Sequence, residues 1–180
     1  MEEQVKTEKP QRVERRERRQ RRSPRRERAK PEFDQKIIAI RRVTRVVSGG
    51  RRFSFAVSIV AGNRKGMVGV GQGKANDTPI AIEKAFRDAR KNMIKVNATP
   101  NMSIPHDLEA KYAASVVKIM PAPGKGILAG SSVRVVLELA GLKDVGAKLL
   151  SRSKNSTNNA YVAIKALKQL EHTKIRHAVS

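Results

Sequence analysis

A chain of 180 residues with 39 Lys and Arg against 16 Asp and Glu carries a net charge of +23, more than solubility requires and in the range of nucleic-acid binders. The absence of Cys excludes a disulfide framework and thiolate metal sites. No apolar run approaches the roughly 18 to 20 residues of a transmembrane helix or follows the N-terminus as a signal peptide would, so no membrane partner is expected. Trp is absent and aromatics make up 3% of the chain, which leaves Ile, Val, Leu and Ala to build a small aliphatic core.

Residues 1–32 hold the pairs Arg15-Arg16, Arg18-Arg19, Arg21-Arg22 and Arg25-Arg26 with almost nothing apolar, too little to offset backbone ordering, and are expected to form a disordered basic arm. Apolar patterning starts at Phe33. Ile37 to Val47 reads as a strand in which adjacent Arg41 and Arg42 break the alternation, implying a bulge or bend. Gly49-Gly50 then supplies the positive φ angles of a tight hairpin turn. In the returning strand Phe53, Phe55, Val57 and Ile59 alternate with Arg52, Ser54 and Ser58, predicting one buried and one exposed side. Arg45, Arg51 and Arg52 therefore crowd the tip of a rigid hairpin, where guanidinium forks match phosphate geometry.

Gly62 to Gly66 predicts a turn and Met67 to Gly73 a third strand. Thr78 is placed to cap a helix that starts at Pro79, with Ile82, Ala85, Phe86, Ala89 and Met93 as its core stripe and Lys84, Arg87, Lys91 and Lys95 as a basic stripe. Residues 33–97 are thus an expected N-terminal RNA-binding domain of three antiparallel strands and one helix. Asn97 to Asn101 is loop-like and marks a domain boundary.

A C-terminal α/β domain is expected over 98–171. Asp107 to Tyr112 and Ser115 to Met120 read as paired strands. Glycine-rich Gly124 to Ser132, with Lys125, opens a helix carrying Val133, Val136, Leu137 and Ala140, and the passage's backbone N–H groups with the helix dipole are placed to receive an anion. Val145 to Leu150 predicts a strand, Ser151 to Ser156 an insertion-like polar run, and Thr157-Asn158 the entry to a last helix with Val162, Ala163, Ala166, Leu167 and Leu170 on one face. Residues 172–180 form a tail.

Catalytic chemistry finds little support. In Gly69-Val70-Gly71-Gln72-Gly73-Lys74 the third glycine comes one residue too early for a dinucleotide loop, and Ala75 stands where a phosphate loop needs Ser or Thr. Close backbone packing or an RNA-facing strand edge explains these glycines better. His106, His172 and His177 are far apart in sequence, and no carboxylate pair is spaced to converge. No enzyme activity, cofactor or metal is expected.

Gly49-Gly50-Arg51-Arg52-Phe53-Ser54-Phe55, then Val68 to Ala75 with Pro79, then Ala85 to Met93, Gly124 to Arg134 and Thr157-Asn158, occur in the order of the bacterial small-subunit ribosomal protein five (S-five) family, which the chain resembles from about Phe33 to Leu170. The resemblance implies an α+β architecture: an N-terminal domain like double-stranded-RNA-binding domains and a C-terminal domain with a left-handed β-α-β crossover. It also implies a structural constituent of the small ribosomal subunit, cytoplasmic, that supports assembly, decoding accuracy and the messenger entry channel. Its implied partners are ribosomal RNA, messenger RNA near that channel, and small-subunit proteins four and eight.

Joined to the basic hairpin and helix, this names Arg41, Arg42, Arg45, Arg51, Arg52, Lys74, Lys84, Arg87, Lys91, Lys95 and Lys125 as expected rRNA contacts. The family's antibiotic-sensitivity loop, which governs the response to spectinomycin, falls on Thr44, Arg45, Ser48, Gly49, Gly50 and Arg51, and the surface toward protein four on Gly126 and Arg134. Three departures stand out: Ser48 replaces the usual Lys, and Val70 and Gln72 replace common aromatics. The rival readings are a free-standing RNA-binding module or RNA chaperone and, from the fold the family shares with small-molecule kinases, an enzyme.

Overall fold

The computed structural model describes residues 32–173. The expected basic arm, Glu32 apart, lies outside them, as does the tail beyond Thr173. Strands β1 (Asp34–Val47), β2 (Gly50–Gly62), β3 (Met67–Ala75) and β4 (Ile94–Lys95) form one antiparallel sheet in that order, with helix α1 (Thr78–Lys91) connecting the last two. The fourth strand is beyond the three expected. Helix α1 ends at cap residue Asn92, so Lys95, assigned from spacing to its basic stripe, instead pairs with Met67 in β4.

A second sheet contains β5 (Leu108–Tyr112), β6 (Ser115–Pro121), β7 (Ile127–Leu128) and β8 (Val145–Leu149), in the order β5-β6-β8-β7. The pairs β5–β6 and β6–β8 are antiparallel. Strands β7 and β8 run parallel and are joined through helix α2 (Ser131–Ala140), a β-α-β unit. Helix α3 (Ser156–Lys168) follows and closes in a 3-10 turn, Gln169–His172. This is the α+β architecture the sequence predicted.

Helix α1 seats on β3 backbone to backbone. Gly69, Gly71 and Gly73 alternate along one face of the strand, and Ala81, Ala85 and Ala89 recur every fourth residue along the helix. A methyl added at Gly71 would land on the Ala89 nitrogen and the Ala85 carbonyl; one at Gly73 would land on the Ala81 carbonyl and the Ala85 nitrogen. Small residues on both elements are therefore a steric requirement, and all three alanines are fully buried. The expected stripe shifts accordingly: Ile82, Phe86 and Met93 flank the contact half-buried, while the alanines make it.

The opposite face of the first sheet is also covered. Val60, Val68 and Val70 share one apolar cluster with Val117 and Ile119 of the second sheet, Val133, Val136 and Leu137 of α2, and Val162, Ala163 and Leu167 of α3. Ser58, expected to face solvent, is instead buried, its hydroxyl hydrogen-bonded to that of Thr157 at 3.0 Å. Alternation misplaces it because β2 is buried on both sides from Val57 to Gly62 and emerges only toward the hairpin tip. Phe53, assigned to the buried side, is 47% exposed because it lies beyond that covered stretch.

Local signals also shift. The irregularity in β1 lies between Ile37 and Ala39, not at Arg41-Arg42. The hairpin turn is Ser48-Gly49, and only Gly50, of the glycine pair, has positive φ. Asp77, not Thr78, occupies the cap position of α1, with Pro79 at its second residue. The polar run before α3 is a fitted cap: Asn155 accepts hydrogen bonds from the Thr157 and Asn158 amides, and Ser151 accepts one from Val116 N. Helix α3 also reaches the outer strand β5, where Lys165 donates to Lys111 O and Gln169 to Glu109 O.

The β2–β3 turn closes the end of α2. Arg64 N and Gly66 N donate to the Leu139 and Ala140 carbonyls at 2.9 and 2.8 Å, satisfying acceptors that a helix C-terminus leaves open. Beside it, Glu138 accepts from Arg134 at 3.0 Å within α2 and from Lys36 of β1 at 3.4 Å.

Two predictions follow from these contacts. Gly71→Ala should force α1 off β3 and cost about 2–3 kcal/mol, the scale of an overpacked core; a wild-type urea midpoint would show the helix able to move freely. The hydrogen bond from Arg134, aided by Lys36 and opposed by partial burial, holds the Glu138 carboxyl below its usual range. Because the folded value is lowered, its stabilisation is present above the unfolded carboxylate range and is lost as pH falls through the lowered value. Solvent screening keeps it to roughly 0.2–1 kcal/mol. Glu138→Gln should therefore unfold at lower urea than wild type at pH 7, the difference closing in acid; a constant difference would assign the effect to packing.

Candidate nucleic-acid interface

Beyond the covered stretch of β2 the β1–β2 hairpin projects, and its register sorts its cations onto two faces. Val47 pairs with Gly50, so Arg45 stands directly opposite Arg52, Thr44 opposite Phe53 and Arg42 opposite Phe55. By alternation Arg41, Arg45 and Arg52 share one face, with Lys74 of β3 beside them across Ala56. Like charges directly opposite each other destabilise a strand pair. The second face carries Arg42 and Arg51 with Ile40, Val46 and Phe53, and here the Arg42 guanidinium lies over the Phe53 ring at 4.6 Å from its centroid.

All five hairpin arginines are exposed, and none has an acidic partner among the described residues. Thr44, Ser48, Gly49 and Gly50, the rest of the expected antibiotic-sensitivity loop, are exposed at the same tip.

Lys74 and Lys84 line a cleft of about 440 Å³ together with Ser54, Asp77 and Ile80. Arg87 and Lys91 are exposed farther along α1, and Arg87 pairs with Glu83. Lys95 stands apart on β4, and Lys125 is exposed in the turn before β7. The structure therefore brings Lys74 to the face of Arg41, Arg45 and Arg52, sets Lys84 across the cleft from Lys74, and leaves Lys95 outside the helical row in which spacing had put it.

The glycine-rich passage before α2 is already held. Gly126 N donates to the Asp144 carboxylate at 3.2 Å, and Gly126 O accepts from Val145 N. The acid therefore occupies one amide expected to await an anion. Arg134, in the first turn of α2, is likewise served from within, since Glu138 one turn later supplies the charge that offsets its unfavourable position near the helix N-terminus. Gly126 itself has φ +67 and open space where a side chain would point.

The β3 glycines, read against a nucleotide loop, are filled by the α1 backbone. Val70 is fully buried, so no aromatic at that position could reach a base in this fold, whereas Gln72 is exposed and its amide contacts the Tyr161 hydroxyl at 3.4 Å. His106 is exposed in a loop, and His177 lies outside the described residues. No cluster of metal-ligating side chains occurs among the described residues, and no helix there is long and apolar enough to cross a membrane.

Sequence reasoning missed two features of the site. The facing Arg45–Arg52 pair was legible by counting outward from a two-residue turn, once that turn is set at Ser48-Gly49. The stacking of Arg42 on Phe53 follows from the same register, because the two are diagonal neighbours on one face.

Residues 33–97 match the family described as Ribosomal protein S5, N-terminal domain, and residues 110–178 the Ribosomal protein S5, C-terminal domain. Over 143 residues, 79% of the chain, it is 50% identical to the small ribosomal subunit protein uS5 of Campylobacter jejuni subsp. jejuni, covering 96% of that protein. An equally long stretch is 48% identical to uS5 of Mycoplasmopsis agalactiae, where it covers only 62% of the relative's length. Two matched domains in order, with half the residues identical over most of the chain, show that the chain belongs to the ribosomal protein S5 family, whose members are structural, non-enzymatic constituents of the small ribosomal subunit.

Proposed function

We propose that the chain acts in the cytoplasmic ribosome as an rRNA-binding structural component, with the Arg45–Arg52 face of the hairpin, Lys74 and Lys84 as its principal phosphate-binding surface. The observation that carries this is the register itself. Two guanidinium groups face each other across the strand pair with no acid beside them among the described residues, an arrangement that costs stability in the free protein and is relieved when a phosphate bridges both. Arg41, Arg42, Arg51, Arg87, Lys91, Lys95 and Lys125 supply further cationic contacts.

Small-subunit proteins four and eight are its proposed protein neighbours, with Gly126 and Arg134 toward protein four, and the hairpin tip from Thr44 to Arg51 sets spectinomycin sensitivity near the messenger entry channel. The support for these finer assignments is the family resemblance together with the exposure of Arg134 and of the hairpin tip; Gly126 is half-buried. Residues 33–97 and 98–171 serve as the two functional domains, the first toward RNA. A free-standing RNA chaperone would present the same hairpin; retention on the small subunit through a high-salt wash separates it from a ribosomal component.

Arg52→Ala should shrink the slope of log affinity against log salt for rRNA fragments by roughly one unit, while leaving the melting temperature unchanged or slightly higher because a like-charge pair is gone. A wild-type slope with a lowered melting temperature would give Arg52 a role inside the fold and remove it from the interface.

A further inference from the structure

We propose that the opposite face of the same hairpin, built on Phe53 and Arg42, is a stacking platform for one unpaired RNA base. This rests on the rRNA-binding reading and adds to it a second, chemically different contact.

Phe55 packs half-buried against the small core of Val57, Ile59, Ala81 and Ala85, and fixes the strand beneath the platform. Phe53 is the next residue outward on that face and is 47% exposed, with Ile40 at 49% and Val46 at 75%. Large apolar side chains left uncovered on one rigid face are expected to meet a partner. The partner's chemistry is set by what lies among them. Arg42 and Arg51 are on this face, and the sequence from Arg41 to Ala75 contains no Asp or Glu.

The Arg42 guanidinium, 4.6 Å from the Phe53 centroid, is held as a flat, positively charged plate. Bases of unpaired nucleotides stack on such guanidinium planes and on aromatic rings. Arg51, near the tip of the same face, is placed to meet the backbone phosphate of the same nucleotide. A duplex keeps its bases stacked internally and offers this platform only phosphate, so the platform distinguishes unpaired from paired RNA, which the Arg45–Arg52 face does not.

The test uses the full chain with two RNA probes of equal length: a stem carrying one bulged 2-aminopurine, and the fully paired stem. Phe53→Leu keeps an apolar side chain and loses the ring; Arg42→Lys keeps the charge and loses the plane. Both positions are exposed, and thermal melting verifies that each variant folds. The expected result is that wild type quenches the bulged fluorophore, and that both variants lose the quenching and about tenfold in affinity for the bulged RNA. For Phe53→Leu, affinity for the paired stem should stay at the wild-type value, and for both variants the salt slopes should stay unchanged because no charge is lost. Equal losses on both RNAs, or no loss on either, would overturn the platform, the second outcome assigning the apolar face to a protein neighbour. Neither would touch the phosphate reading, which fails only if Arg52→Ala leaves the salt slope unchanged.

Discussion

Everything the hairpin does depends on the contact between Gly69, Gly71 and Gly73 of β3 and Ala81, Ala85 and Ala89 of α1. Helix and strand approach until backbone meets backbone, so the sheet is anchored by steric fit with no large side chain between the elements. With only 3% aromatic residues available, the chain compensates for missing bulk by shortening the distance between layers. The close approach places Val57 and Ile59 under the helix and leaves the end of β2, from Gly50 to Phe53, free to project. A looser helix would let the hairpin tilt, and its guanidinium groups would lose the fixed spacing that recognition of a structured polyanion requires.

A second constraint ties the two sheets to one another. The turn at Arg64 and Gly66 hands its amides to the last carbonyls of α2, and Glu138 joins that helix to the start of β1. Together with the apolar cluster that spans both sheets, these contacts make the C-terminal elements part of what orients the hairpin. An interaction received on α2 is therefore mechanically connected to β1, whose other end carries Arg41, Arg42 and Arg45.

Much of this was legible in the sequence. The hairpin, the helix with Pro79 near its start, the paired strands around Ala113-Ala114 and the small α/β unit after them all follow from alternation, turn residues and helical spacing. What was not legible involves a partner distant in the chain. Ser58 looks solvent-facing until Thr157 is folded onto it, 99 positions away. Lys95 keeps helical spacing with Lys91, and only the fit of Met93 and Ile94 against β3 shows that the helix has ended. Among the site residues, the arginines were identifiable by type, whereas their division into two faces required a register, and the register hung on placing a two-residue turn one position earlier than the glycine pair implied.

Lys165 and Gln169, reaching from α3 and its closing turn to the Lys111 and Glu109 carbonyls, bear on the protein's life before assembly. Strand β5 is an outer strand of its sheet, and free carbonyls along such a border invite another chain to add itself as the next strand. Two long side chains from the same molecule already hold those acceptors, and Lys165 adds a charge that a newcomer would have to bury. A newly made copy awaiting its RNA is thereby discouraged from joining another copy along this border.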